Sequence, residues 1–236
     1  MNYTIINDEK IVKDFIEQLP ILSEGETYYL CLFARSKYAK NEDGSNKFPH
    51  IKTDKAQLKR FLSNKEYMFN KIKQLETAYG NYLTKDGDPV PQEALALYIN
   101  PNPRSQRKGM FALMKKLIDI QECQGKGYNI NAEAISAVQK SRSRNVYVDF
   151  DIDSKDIDLS YLKTILPPHG YDVLETRGGY HIIVIPGSFS IHEAERNWYQ
   201  KIKEHYTIDQ VGDNMIPFPG SYQGGFTPRF LNFDEL

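Results

Sequence analysis

Cysteine is scarce: Cys31 and Cys123 are the only two in 236 residues. That excludes a disulfide framework and any Cys-rich zinc module. Long apolar runs are missing too. The strongest, Ile182-Ile183-Val184-Ile185, falls far short of the ~18 residues that suggest a membrane span. The opening Met-Asn-Tyr-Thr-Ile-Ile-Asn-Asp-Glu-Lys has no basic segment followed by an apolar one, so no signal peptide and a cytoplasmic location are expected. Neither a repeat nor a low-complexity tract is visible, and no Gly-x-x-x-x-Gly-Lys-Ser/Thr loop occurs. Net charge is small, at −1. With 40% hydrophobic and 26% charged residues, the composition is that of a globular chain of one large or two small domains.

The small net charge conceals two unlike halves. Residues 146–236 carry 7 Lys and Arg against 14 Asp and Glu, a net of −7, which leaves +6 on residues 1–145. A basic front beside an acidic back fits a nucleic-acid surface next to a cation site, or simply unevenly solvated faces.

In the front half, Ile11, Phe15, Ile16 and Leu19 predict a helix over residues 8–19, ended by Pro20. Thr27–Ala34 reads as a strand, 40–47 as a loop, and 54–83 as mostly helical. A second strand is expected over Ala94–Asn100, stopping at Pro101 and Pro103, which lack ladder donors. Helices are expected over Gly109–Cys123 and, capped by Asn131, over Ala132–Lys140. Behind a soft boundary near residue 145, strands are expected at Val146–Ile152, Tyr171–Glu175 and Tyr180–Ile185. Helices are expected at Ser160–Leu166 and Ile191–Tyr206. This order predicts an α+β fold with helices on one face of a sheet.

The segment Val146-Tyr147-Val148-Asp149-Phe150-Asp151-Ile152-Asp153 carries the sharpest signal. Strand alternation puts Val148, Phe150 and Ile152 on a core face and Asp149, Asp151 and Asp153 on the other. Carboxylates two residues apart on a strand, about 6.5–7 Å at Cα, can converge on divalent cations. A cation would also offset their mutual repulsion. Asp153 stands where the chain is expected to turn into solvent. A second feature is Thr176-Arg177-Gly178-Gly179-Tyr180-His181 between two strands. Glycines let backbone N–H groups approach an anion, Arg177 offers a fork of donors, and His181 can donate to a phosphate. A third is Ile208-Asp209, able to complete a set of three carboxylates. Asp213 competes for that place, although Gly212-Asp213-Asn214 reads as a turn.

In this order the three features resemble the archaeo-eukaryotic primase superfamily, especially its small primase-polymerases from plasmids, phages and mobile elements. Val148-Asp149-Phe150-Asp151 matches the family's apolar-Asp-x-Asp strand. Thr176-Arg177-Gly178-Gly179-Tyr180-His181 matches its turn ending in x-His, and Ile208-Asp209 its apolar-Asp pair. Pro219-Gly220-Ser221 is similar to an element found after the third Asp, where relatives often carry a preceding Arg; this chain has Pro217 and Phe218 there. The motifs span residues 146–221.

The resemblance implies an RRM-like catalytic module, 146–236, packed on an N-terminal α/β unit, 1–145, that binds template. It implies a template-directed nucleotidyltransferase, a DNA primase or primase-polymerase. Asp149, Asp151 and Asp209 would hold two Mg²⁺ or Mn²⁺ ions, with His181, Arg177, Thr176, Gly178 and Gly179 around the nucleotide. The implied partners are single-stranded DNA, NTP or dNTP, and a helicase or other replication protein. Arg104, Arg107, Lys108, Lys140, Arg142 and Arg144 would follow the template. Two other classes compete. A metal-dependent nuclease or strand-transferring initiator would share the carboxylates, but such initiators present paired histidines, and His192 and His205 lie on a polar stretch. A non-catalytic RRM-like reader would place aromatics on the sheet where this strand places acids.

Overall fold

The computed structural model describes residues 1–41, 43–45, 56–122, 129–190 and 192–232. Within them the chain is α+β, with two antiparallel sheets flanked by helices. The front sheet has the order β2–β1–β3–β8, from Ala56–Ser63, Glu26–Ala34, Leu95–Ser105 and Ile216–Pro217. The back sheet has the order β7–β4–β6–β5–β9, from Gln210–Gly212, Val148–Ile152, Tyr180–Val184, Tyr171–Glu175 and Arg229–Phe230. The helices are α1 (Glu9–Gln18), α2 (Lys65–Lys73), α3 (Gln106–Glu122), α4 (Ile130–Lys140), α5 (Leu162–Ile165) and α6 (Trp198–His205). No helix among the described residues is long and apolar enough to cross a membrane.

Strand β1 is apolar almost throughout because both of its faces are covered. Leu30 and Leu32 join Leu97 and Ile99 of β3 in a core closed by Val12, Phe15 and Ile16 of α1 and by Met68 and Ile72 of α2. Tyr29, Cys31 and Phe33 face the other way, with Ala96, Tyr98 and Ile135 of α4. Helix α1 begins at Asp8, whose carboxylate accepts from the N–H groups of Lys10 and Ile11 and satisfies two otherwise unbonded donors.

In the back sheet, Phe150, Ile152, Ile182, Val184 and Val173 form a second core with Leu162 and Ile165 of α5 and Ile202 of α6. The opposite face sends Leu174 and Ile183 into the front core, so the two sheets share packing. The chain does not divide cleanly at residue 145. After β7 it returns to the front, where β8 pairs with Tyr98 and Ile99 of β3.

Several elements differ from the sequence-based expectation, each for a local reason. The segment 54–83 is predicted helical, yet Ala56–Ser63 is the edge strand β2, with residues 54 and 55 outside the described set. Its helix-favouring Ala, Gln, Leu, Lys and Arg yield to pairing along β1, from Tyr28↔Ser63 to Ala34↔Ala56. Helix follows only from Lys65, capped by the Asn64 side chain.

Strand β3 continues through Pro101 and Pro103 to Ser105. Its pairing with β1 jumps from Tyr29↔Asn100 to Thr27↔Arg104, so both prolines fall in a bulge where ladder donors are not required. Helix α4 starts at Ile130 on an Asn129 cap rather than an Asn131 cap. Helix α6 starts only at Trp198, because Asn197 takes a left-handed conformation at φ 63°. Residues 123 and 191, at the ends of two expected helices, lie outside the described set.

Candidate functional site

Three neighbouring strands bring the acids together. Asp149 and Asp151 lie on β4, between β6 and β7. His181 on β6 is paired directly with Asp151, and Asp149 with Ile183, so His181 stands diagonally across from Asp149 on the same face. On the other side, the Asp209 N–H donates to the Asp151 carbonyl at 2.9 Å just before β7 pairs with β4.

His181 is wedged between the two β4 carboxylates. Its Nδ1 lies 2.9 Å from Asp149 Oδ1, and its Nε2 lies 3.4 Å from Asp151 Oδ1. Asp149 is 1% exposed and His181 is 5% exposed. The second Asp149 oxygen accepts from the Asn214 side-chain amide at 3.2 Å. Burial opposes a charge on His181, but Asp149, Asp151 and Asp153 outweigh it and hold its pKa above 6.5. Burial also raises the Asp151 carboxyl above the usual range. His181 pulls it back, whereas Asp149, Asp153 and Asp209 push it further up.

Asp151, Asp153, Asp209 and His181 line a cleft of about 490 Å³. Its other wall comes from the front half: Phe33, Arg35, Lys37, Tyr38 and Tyr98. Arg35 donates to the Tyr98 hydroxyl at 2.6 Å, and Lys37 lies 3.6 Å from Asp153. An acidic wall thus faces a basic and aromatic one. The front wall, together with Asn214 and Gln223, is absent from the sequence-based set of site residues. Arg35 and Lys37 directly follow a predicted strand, which is the one local hint. Nothing near them in the sequence points to acids more than 100 residues away.

The turn between β5 and β6 is built differently from its expected role. Thr176 donates its hydroxyl to the Gly179 carbonyl at 3.1 Å and accepts from the Gly179 N–H at 3.3 Å. Thr176 and Gly178 line the cleft. Arg177 is turned to the front half, where its guanidinium donates to the Tyr38 carbonyl at 3.0 Å and lies 5.0 Å from that ring. The Pro219-Gly220-Ser221 element packs on the start of α1. Gly220 has φ +77°, its carbonyl accepts from Asn7 and Asp8, and the Ser221 hydroxyl donates to Phe218.

Asp213, the competitor of Asp209, is spoken for. Arg104 holds it through two contacts of 2.6 and 2.7 Å. This also corrects the place of Arg104 among the template-following residues. Its side chain is 2% exposed and presents no charge to a ligand. Lys108 reaches the carbonyls of Arg142 and Ser143, and Arg144 pairs with Glu26. Arg142, at 43% side-chain exposure, lies 4.0 Å from Asp213. Arg107 and Lys140 are exposed on α3 and α4.

Among the described residues, no three His, Cys, Asp or Glu side chains already form a metal cage. The donor chemistry nevertheless suits a divalent cation. The cleft-facing donors are hard carboxylate oxygens, and the Asp151 carboxyl is raised by burial and, further, by neighbouring carboxylates whose negative charge a cation would offset. Comparison with family models, with curated proteins and with solved structures finds no match to this chain.

Proposed function

We propose that this chain is a template-directed nucleotidyltransferase of the primase-polymerase type, acting on nucleoside triphosphates with single-stranded DNA as template. The observation that carries the reading is that Asp151, Asp209 and His181 line one cleft, with the buried Asp149 bonded directly to His181. The β4–α5–β5–β6–α6–β7 connection, with β4 and β6 central, supports an RRM-like catalytic module.

Asp149, Asp151 and Asp209 would hold two Mg²⁺ or Mn²⁺ ions. Bound there, the ions supply the charge that activates a 3′-hydroxyl and neutralises the triphosphate. His181 fixes Asp149 through Nδ1, and its Nε2, 3.4 Å from Asp151 Oδ1 at the cleft wall, would donate to a phosphate oxygen. Arg35 and Lys37 bring positive charge to the opposite wall, suited to the same polyphosphate.

The test is incubation of the protein with a primed and an unprimed single-stranded template, labelled NTP or dNTP, and Mn²⁺. Label incorporated only when template is present supports the reading. Template degradation without incorporation would favour a nuclease on the same carboxylates, and neither product would leave a binding module.

Template binding adds a second expected result. Affinity for single-stranded DNA should fall with salt at a log–log slope of roughly −0.7 per neutralised phosphate. Reversing charge at Arg107 and Lys140 should make the slope shallower by about one to two contacts. Fluorescence anisotropy at several salt concentrations reads this directly, and superimposable lines would remove both residues from the template path.

A further inference from the structure

Alternate side chains of β3 all reach the segment that closes the acidic site. Asn100 donates to the Asn214 carbonyl at 3.2 Å. Asn102 donates to Asp213 Oδ1 at 3.0 Å and to the Tyr147 carbonyl at 2.9 Å, and it accepts from the N–H groups of Val146 and Tyr147, both at 2.8 Å. Arg104 grips both Asp213 oxygens. The three side chains are 4%, 1% and 2% exposed. The row Asn100-Pro101-Asn102-Pro103-Arg104 therefore fixes two things: the lead-in to β4, and residues 213–214. The next link is direct, because Asn214 donates to Asp149 Oδ2.

We propose that Arg104 is a positioning residue of the acidic site, acting through Asp213 and the Asn214 amide on the Asp149 carboxylate. The inference rests on the cation-binding part of the function proposed above. A bidentate guanidinium–carboxylate pair fixes direction as well as distance, so Asp213 is held in one orientation. Asn214, its neighbour, is tied by its carbonyl to Asn100, which leaves the side-chain amide aimed at Asp149. With His181 on Oδ1 and Asn214 on Oδ2, the carboxylate plane of Asp149 is set before any cation arrives. Partners that orient a metal-binding carboxylate in this way commonly change metal affinity by about 10–100-fold when removed. The front sheet would thus set the geometry of a centre whose three acids all lie in the back half. A purely scaffolding role would instead stabilise the fold without touching cation affinity.

The test is the Mn²⁺ affinity of the full chain, followed by the spin-resonance signal of free Mn²⁺, in Arg104→Lys, Asn214→Ala and the double variant. Lysine cannot reproduce the fork and releases one Asp213 oxygen. Each single variant is expected to bind Mn²⁺ about tenfold more weakly. The double variant should be no weaker than the worse single one, because both changes break one chain of contacts. A folded Arg104→Lys protein with wild-type Mn²⁺ affinity overturns the proposal, as do additive losses in the double variant. Should Arg104→Lys fail to fold, wild-type affinity in Asn214→Ala overturns it alone. Wild-type protein that binds no Mn²⁺ overturns this proposal together with the cation site. Mn²⁺ binding weakened as expected, in a protein that incorporates no nucleotide, removes the polymerase reading and keeps this one.

Discussion

Asp151→Asn and Asp149→Asn should each abolish nucleotide incorporation and should move the stability of the metal-free protein in opposite directions. An amide is a far poorer ligand for a divalent cation than a carboxylate. Loss of one preorganised electrostatic group at a reacting centre costs at least about 10²–10³-fold in rate. Asp151 is crowded by other carboxylates and its own carboxyl is raised, so its ionised form is disfavoured in the fold. The neutral amide relieves that, and the metal-free Asp151→Asn protein should melt no lower than wild type.

Asp149 is instead the buried partner of His181, and Asp149→Asn takes a counter-charge from a raised imidazole. The cost should be about 1–3 kcal/mol, below the usual loss for a broken buried pair because imidazole can shed its proton. The pH dependence follows from the raised His181 value. The stabilisation is fully present below the ordinary histidine value of 6.5 and is lost as pH rises through the higher folded value. The melting difference between wild type and Asp149→Asn should accordingly shrink toward alkaline pH. Thermal melts across pH with a template-extension assay check both parts. Incorporation at wild-type rate by either variant would sink the cation site.

The back half was legible in the sequence because its signals are local. Alternation alone separated Phe150 and Ile152 from Asp149 and Asp151, and the structure puts these two pairs on opposite faces. The turn between β5 and β6 was bounded by its own glycines. The front half was harder, for reasons that lie in pairing rather than propensity. Strand β2 carries helix-forming residues and becomes a strand only because β1 offers it an edge. Strand β3 runs past two prolines because a bulge removes the need for their missing donors. Arg104 looks like solvated surface charge, the usual state of arginine. Only its contact with Asp213, 109 residues away, shows that it is buried and paired through both terminal nitrogens. The basic and aromatic wall of the cleft was invisible for the same reason: Phe33, Arg35, Lys37 and Tyr98 meet the acids through packing of the two sheets.

Replacing Gly179 with Ala should be the most damaging single-atom addition near the site, while Gly178→Ala should be nearly silent. Both glycines read as anion-binding backbone in the sequence, yet the structure gives them different duties. A Cβ on Gly179 would stand 1.9 Å from the Ile152 carbonyl oxygen and 2.7 Å from the Ser154 nitrogen. Both obstacles are backbone atoms at the end of β4, so no side-chain rotation can make room. The turn would have to lift away from β4, straining the Thr176–Gly179 bonds and displacing His181 two residues on. Overpacking of this kind costs about 3 kcal/mol when the surroundings cannot yield. For a chain of this size that is roughly 6–12 °C in melting temperature. A Cβ on Gly178 meets only Asp153 Oδ1 at 3.5 Å, an ordinary contact. Its effect should stay within about 0.5 kcal/mol, as for exposed substitutions elsewhere. Thermal melts of the two variants side by side make the comparison. Equal melting temperatures would mean that close packing against β4 is not what requires glycine at position 179.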